Sequence, residues 1–151
     1  MVELRKVTKE NFEEVIRLSV AENQASFVAS NVYSLAQAGV YQETAFPFAI
    51  YADDNLVGFI MMGYYEKESQ YTLWRFMIDK KYQGKGYGKA ALKLAVNYMI
   101  DNFEVKELGT GTHCENFVAQ NLYKSIGFKE TGEIDGDQIG MKLLIEDFVT
   151  N

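Results

Sequence analysis

The sequence predicts an α/β (α+β) fold, a mixed and mostly antiparallel sheet with helices on both faces. Strand-like apolar runs recur along the chain, and segments with apolar residues at helical spacing separate several of them. Three strand-like runs near the middle are joined by links too short for a crossover, which indicates antiparallel pairing there. The 151 residues are the usual size of one domain, so we predict a single domain over 1–151.

The first half of the chain predicts a strand, two helices and three further strands. Thr8 is a suitable N-cap for the first helix, Gly39 ends the second, and Asp53, Asp54 and Asn55 form the turn of a hairpin. The apolar stripes of the two helices are Phe12, Val15, Ile16 and Val20, and Val28, Val32, Leu35 and Ala36. The predicted ranges are 2–7 for the first strand, 26–38 for the second helix, and 48–51, 56–61 and 71–78 for the next three strands.

The second half predicts two helices and three strands in alternation. The third helix follows a glycine-rich loop, and the fourth ends at Gly127. Strands are expected at 105–112, 128–134 and 139–145. The apolar positions that repeat at helical spacing are Leu92, Ala95, Val96, Met99 and Ile100 in the third helix, and Ala119, Leu122, Tyr123 and Ile126 in the fourth. The resulting order is β-α-α-β-β-β-α-β-α-β-β.

Composition excludes several classes of protein. The net charge of −6 argues against a nucleic-acid surface and mildly favours a cationic ligand. No apolar run approaches the roughly 20 residues that cross a bilayer. The only cysteine, Cys114, leaves no internal disulfide and no cysteine-based metal site. We therefore expect no bound metal, no nucleic-acid or membrane partner, and a cytoplasmic location.

The most informative segment is the loop that reads Gln-Gly-Lys-Gly-Tyr-Gly at residues 83–88. Glycines let the backbone approach a ligand closely, and the amides at the start of the following helix favour an anion such as a pyrophosphate. A P-loop is excluded because Gly86, rather than Ser or Thr, follows Lys85. The dinucleotide fingerprint is excluded because its third glycine is misplaced.

This loop resembles the coenzyme A loop of the GNAT acetyltransferase superfamily, Gln/Arg-x-x-Gly-x-Gly/Ala, which Gln83, Gly86 and Gly88 match. Residues 116–128 resemble a second signature of that family, Asn-x-x-Ala-x-x-Leu-Tyr-x-x-x-Gly-Phe. The resemblance covers nearly the whole chain and implies acetyl-CoA as co-substrate. It implies that the cofactor-binding residues are Phe76, Met77, Ile78, Gln83, Gly84, Lys85, Gly86, Tyr87, Gly88, Lys89, Asn116 and Tyr123.

The resemblance also implies Tyr123 as the general acid that protonates the departing thiolate. The charge on the thioester oxygen needs a donor, which the family takes from a backbone N–H here provided by Met77 or Ile78. The general base stays open among Glu22, Glu43, His113 and a water chain to a carboxylate. Cys114 is interpreted as structural, because adjacent residues of a strand point to opposite faces and would keep it from pairing with His113.

Residues 31–38 resemble bacterial spermine/spermidine acetyltransferases of the same family. A polyamine would be held by carboxylates and aromatic faces, for which Glu22, Tyr33, Tyr41 and Glu43 are the candidates. Three alternatives stay open: an antibiotic amine, a protein N-terminus, or a sensor that binds acetyl-CoA without turnover. The resemblance further implies a homodimer, since small GNAT proteins often form one.

Overall fold

The computed structural model describes residues 1–150 and contains a seven-stranded sheet in the order β1-β2-β3-β4-β5-β7-β6. The pairs are antiparallel except for β4 with β5, which is parallel. The predicted fold class and element order are confirmed. The elements are β1 (Val2–Lys6), α1 (Phe12–Arg17), α2 (Asn31–Val40), β2 (Ala45–Ala52), β3 (Asn55–Tyr65), β4 (Gln70–Ile78), α3 (Tyr87–Asn102), β5 (Glu107–His113), α4 (Phe117–Ser125), β6 (Lys129–Asp135) and β7 (Gln138–Leu144).

Two apolar clusters lie on opposite faces of this sheet and attach the helices to it. On one face, Val15 of α1 and Leu35 of α2 pack with Phe59 and other side chains of β2, β3 and β4. On the other face, Leu92 of α3 and Tyr123 of α4 pack with the inward side chains of the same strands. The helices therefore stabilise the sheet by removing both of its apolar faces from water. None of the helices within residues 1–150 combines the length and the apolar character needed to cross a membrane.

The sheet opens between β4 and β5, and this opening positions the site. The two strands pair only where Thr72 lies opposite Gly109 and Leu73 opposite Thr110. A bulge against β3 follows at once, because Met61 pairs with Arg75 while Met62 pairs with Leu73. A bulge bends its strand and turns side chains to new directions. Residues 74–78 of β4 consequently continue without a β5 partner.

The second helix begins later than predicted and buries a different face. Residues 26–30 lie outside it, because Ser30 is the N-cap and its Oγ accepts the N–H of Tyr33 at 3.1 Å. The predicted stripe is wrong as a description of the buried face, since Val32 is 56% exposed while Asn31 and Ser34 are buried. The Asn31 amide is satisfied there by donating to the carbonyl oxygen of Val15 at 2.8 Å. Polar burial of this kind leaves no signal in apolar periodicity.

Three helix boundaries also differ from prediction. Thr8 is not the N-cap of α1, because the helix begins at Phe12 and Asn11 occupies the N-cap position. Helix α1 ends at Arg17 and does not reach Val20, because the chain turns extended at Leu18. Gly39 lies inside α2 rather than ending it, since the helix continues to Val40. The predicted hairpin turn is a two-residue turn in which Asp53 and Asp54 have φ values of 49° and 69°. Positive φ at both central residues is what a tight hairpin requires.

Candidate active site

A cleft of about 490 Å³ occupies the opening between β4 and β5. We call it the β4–β5 cleft. One wall is the second half of β4, another is the glycine loop with the start of α3, and a third is α4. Residues from six different segments meet here only because the two parallel strands separate. The predicted cofactor-binding residues that line it are Phe76, Met77, Ile78, Gln83, Gly84, Gly86, Tyr87, Gly88, Lys89, Asn116 and Tyr123.

The glycine loop has an open inner surface. Gly84 and Gly86 have φ values of 79° and 82°, and a Cβ atom built on either would meet nothing within 4 Å. Their backbone conformation is one that side chains disfavour, so glycine serves the turn itself as well as access to it. Helix α3 begins directly afterwards at Tyr87, and the amides of its first turn lack helical partners. Lys89 lines the cleft, whereas Lys85 is exposed and does not line it.

Gln83 has a structural task inside this wall. Its Nε2 donates to the carbonyl oxygen of Ile78 at 2.9 Å and to Oε1 of Gln24 at 2.8 Å. The side chain therefore ties the end of β4 to the segment between α1 and α2. Asp79 makes a similar link, because its Oδ1 accepts the N–H of Ser19 at 3.0 Å. These bonds hold the loop against β4 independently of any ligand.

The free edge of β4 offers backbone groups to the cleft. Residues Phe76, Met77 and Ile78 pair with β3 on one side, opposite Ile60, Phe59 and Gly58. Their other side faces the opening and pairs with no strand among residues 1–150. An extended chain with amide groups fits such an edge by continuing the ladder.

Tyr123 brings a phenol to the floor of the cleft. The residue is only 6% exposed, and its ring packs at 5.5 Å between centroids against Phe128. Burial raises the pKa of Tyr123 well above its ordinary value, because the charged phenolate would lose its hydration. The hydroxyl therefore stays protonated at neutral pH, as in an exposed tyrosine, and can donate a hydrogen bond, while the raised pKa makes it a weaker acid.

A second, larger cleft of about 1060 Å³ lies on the other side of the opening. We call it the acidic cleft, because four acidic residues, Glu66, Glu68, Glu133 and Asp135, line it against three cationic ones, Lys67, Arg75 and Lys142. The first two lie in the turn between β3 and β4, and the others at the end of β6. The two clefts share six lining residues: Leu73, Trp74, Arg75, Thr110, Gly111 and Gln138. The opening in the sheet thus joins the cleft of the glycine loop to the acidic cleft.

The chain is similar over most of its length to a known family of enzymes. Residues 8–128 match the Acetyltransferase (GNAT) family. The chain belongs to the GNAT family. The predicted resemblance is confirmed, and the protein is an acetyl-CoA-dependent N-acetyltransferase.

Individual GNAT relatives differ in the amine that their names indicate. The chain is 33% identical over 153 residues to the probable spermine N(1)-acetyltransferase of Bacillus subtilis subsp. natto (strain BEST195), covering 95% of this chain and 99% of that protein. Its fold is shared with the spermidine N-acetyltransferase of Vibrio cholerae in complex with CoA and spermine, at a TM-score of 0.77, 20% identity and coverage of 97% and 96%. It is also shared with an aminoglycoside acetyltransferase, AAC(6')-Ib, in complex with coenzyme A, at a TM-score of 0.80, 15% identity and coverage of 97% and 96%.

Asn116 lies at the start of α4, as the second GNAT signature implies. Its Oδ1 caps the helix by accepting the N–H of Ala119 at 3.3 Å. The residue also lines the β4–β5 cleft. A contact between Asn116 and the coenzyme stays a prediction, and the cap gives the same residue a role in the fold.

The three base candidates lie outside the β4–β5 cleft. Glu22 and Glu43 are exposed and line neither cleft. The ring of His113 stacks on Phe27, with centroids 4.7 Å apart, and its Nδ1 accepts the N–H of Glu115 at 3.0 Å. That bond uses the lone pair a base would need on Nδ1. The roles of these residues stay predictions, but the structure does not bring them to the opening.

Cys114 corrects one argument made from the sequence. Strand β5 ends at His113, so strand alternation does not govern the next residue. The ligand atoms of His113, Cys114 and Asp137 lie within 4.8 Å of one another. The backbone N–H of Glu115 donates to Nδ1 of His113, so a neutral ring carries its proton on Nε2. That proton would have to leave before Nε2 could bind a metal. The expectation of no bound metal stays a prediction.

The predicted substrate residues divide between two locations. Tyr41 lines the acidic cleft and packs edge-on against Trp74, with centroids 6.1 Å apart. Tyr33 lies against the Arg75 guanidinium, 5.6 Å from ring centre to carbon. Glu22 and Glu43 line neither cleft, although Thr44, the residue after Glu43, lines the acidic cleft. Those carboxylates were missed because they lie in hairpin ends, although the acidic run at residues 133–137 was a visible signal.

Proposed function

We propose that the protein transfers the acetyl group of acetyl-CoA to a primary amine of a polyamine such as spermine or spermidine. The observation that carries this proposal is the junction at residues 73–75, where an anion-binding cleft meets a cleft lined by four carboxylates. A full-length relative named for spermine acetylation at 33% identity supports the acceptor. A cytoplasmic location and a homodimer stay predictions.

The β4–β5 cleft fits the chemistry of acetyl-CoA. The amides of residues 84–89 offer the N–H groups that a pyrophosphate needs, at a helix N-terminus whose dipole favours negative charge. The free edge of residues 76–78 fits the amide-containing arm of the coenzyme as an added strand. Lys89 adds a positive charge to the same wall. This chain therefore supplies both halves of the binding surface from backbone groups, which explains why glycine is needed at Gly84 and Gly86.

The reaction needs one bond formed and one broken. The neutral amine attacks the thioester carbon, the C–N bond forms, the C–S bond breaks, and the nitrogen gives a proton to water, which returns one to whichever group protonates the thiolate. Tyr123 lines the cleft and keeps its proton, which supports a role in donating that proton, or a hydrogen bond, to the departing sulfur. A backbone N–H of Met77 or Ile78 would stabilise charge on the thioester oxygen.

The acidic cleft favours a polycation over a single ammonium group. Glu66 and Glu68 approach it from one hairpin end, and Glu133 and Asp135 from another, so several ammonium groups would find carboxylates at once. Each exposed charge pair contributes about 0.2–1 kcal/mol, and salt screens it. We therefore expect the Michaelis constant for spermine to rise with ionic strength.

An acceptor panel tests the proposal. The protein is incubated with acetyl-CoA and spermine, spermidine, a single amino acid, an aminoglycoside or a peptide, and acetylated products are identified by mass spectrometry. We expect spermine or spermidine to be acetylated most efficiently. Preference for the aminoglycoside or the peptide would contradict the acceptor, and binding of acetyl-CoA without any product would indicate a sensor.

A pair of matched variants tests the acidic cleft itself. Glu133→Gln with Asp135→Asn removes two cleft carboxylates, and two lost contacts raise the Michaelis constant for spermine by about 2- to 30-fold. Glu10→Gln with Glu14→Gln removes the same charge at exposed residues that line neither cleft and serves as the control. An equal rise in both double variants would show that only the net charge matters.

A further inference from the structure

Arg75 is a cation inside the site whose hydrogen-bond partners are all neutral. Its Nη1 donates to the carbonyl oxygen of Trp74 at 2.7 Å, and its Nη2 donates to Oε1 of Gln37 at 3.2 Å. Its Nε is buried and has no hydrogen-bond partner among residues 1–150. No carboxylate in that range forms an ion pair with it. The positive charge is therefore uncompensated within the described chain.

The guanidinium nevertheless stays charged. Burial lowers the pKa of Arg75 from its ordinary value, and Tyr33 partly offsets this effect. An arginine remains protonated throughout the working pH range of an enzyme even after such a decrease. Because the side chain lines both clefts, its field acts where the amine and the thioester must meet.

The β4–β5 cleft offers no side chain suited to take the proton of an incoming ammonium group. Among residues 1–150, no Asp, Glu or His lines it, whereas Arg75 and Lys89 both do. Of the two clefts, the acidic cleft has the acidic side chains, which lie at two hairpin ends. The path of an acceptor therefore runs from a cleft with four acidic residues, partly offset by Lys67 and Lys142, toward one in which the charged side chains are Arg75 and Lys89.

We propose that Arg75 is a positioning residue that disfavours the ammonium form of the reacting nitrogen and orients a polyamine with its charged nitrogens toward the acidic cleft. This proposal rests on the polyamine function proposed above. An ammonium group near Arg75 meets an unpaired like charge, while a neutral amine does not. The proton leaves to water, the nitrogen keeps its lone pair for the thioester carbon, and the remaining ammonium groups pair with carboxylates.

Other charged and titratable groups act on the same path and enter the design of the test. Tyr33 is a titratable side chain against the guanidinium, with its ring centre 5.6 Å from the central carbon. The remaining charged and titratable side chains that line the two clefts are Tyr41, Tyr64, Tyr65, Glu66, Lys67, Glu68, Tyr82, Tyr87, Lys89, Tyr123, Glu133, Asp135 and Lys142. A pH effect is therefore assigned to Arg75 only if it disappears when the charge of Arg75 is removed and persists when the Tyr33 hydroxyl is removed.

The first test is the pH profile of kcat at saturating acetyl-CoA and amine, because kcat reports the ionisation of the bound complex. For charges about 7 Å apart at an effective dielectric of about 20, the guanidinium lowers the pKa of the bound amine by about one to two units. Arg75→Gln should move the rising limb of kcat to higher pH by that amount, which lowers kcat at pH 7 by about 10- to 100-fold. Arg75→Lys keeps the charge and should restore the limb, and Tyr33→Phe should leave it in place.

The second test is proton release on binding, which needs no turnover. Calorimetry of spermine binding to the protein saturated with coenzyme A, in buffers of different ionisation enthalpy, counts the protons lost at pH 8. We expect more protons released by the unaltered protein than by Arg75→Gln. If spermine does not bind, the proposed function fails, and the kcat limb is then measured with whichever amine the panel identifies.

Several results would overturn the role of Arg75. One is an unchanged kcat limb and unchanged proton release in a folded Arg75→Gln protein. Another is a loss confined to acceptors with a carboxylate, which would make Arg75 an anion-recognition residue. If Arg75→Gln does not fold, Arg75→Met replaces it. If neither variant folds, the kcat profile of the unaltered protein is the test. A rising limb at the pKa of the free amine would be incompatible with the proposal.

Discussion

Replacing Tyr123 with Phe removes one oxygen atom from the floor of the β4–β5 cleft and leaves the ring in place. The ring is 6% exposed and packs against Phe128, so its apolar contacts survive the change. A positioned general acid contributes roughly 10²–10⁴ in rate, or about 3–5 kcal/mol of barrier. We expect the rate of acetyl transfer to fall by that factor, while affinity for acetyl-CoA changes little because the loop at Gly84 and Gly86 is untouched.

The assay is a single turnover with protein in excess over acetyl-CoA, followed from pH 6 to 9. Product release is thereby kept out of the measured rate, since a slow release step would hide part of a chemical defect. Tyr82→Phe is the matched control, because Tyr82 lines the same cleft and loses the same atom. A Tyr123→Phe protein that keeps the native chemical rate would refute the reasoning, and water would then have to be the acid.

Three further predictions concern binding and stability. Gly86→Ala should weaken acetyl-CoA binding in calorimetry more than Gly132→Ala does. The two residues are matched, because both have a φ above +80° and an open Cβ position. An equal loss of affinity would contradict binding of the coenzyme at the glycine loop. The Asp79 carboxylate accepts the backbone N–H groups of Ser19 and Lys81, and Asp79→Asn turns one of these two acceptors into a donor. The variant should lower the free energy of unfolding in urea by about 1–3 kcal/mol, and an unchanged midpoint would be inconsistent with this. Above about pH 10, an unfolded Tyr123 releases its proton while the folded one keeps it, so stability falls by about 1.4 kcal/mol per pH unit, and Tyr123→Phe should remove that part of the slope.

The sequence by itself determined the element order, the glycine loop and the position of Tyr123. Each depends on local information: apolar spacing over a dozen residues, a turn that needs glycine, or a signature within one loop and helix. The loop at 83–88 precedes α3 as predicted, and Tyr123 reaches the same cleft because residues three and four apart share a helix face. These features depend on residues near one another in the chain, so they do not depend on where each segment lies in the fold.

Only the tertiary structure decided which residues meet at the opening. The acidic cleft joins the turn at residues 66–68 to the end of β6, two segments that strand order brings to one side of the sheet. The bulge after Leu73 brings Arg75 against α2, and the end of β5 leaves His113 outside the β4–β5 cleft. Register, bulges and strand separation depend on pairing between residues far apart in the chain. Local spacing carries no record of that pairing, so the acceptor side of the site could be read only from the folded molecule.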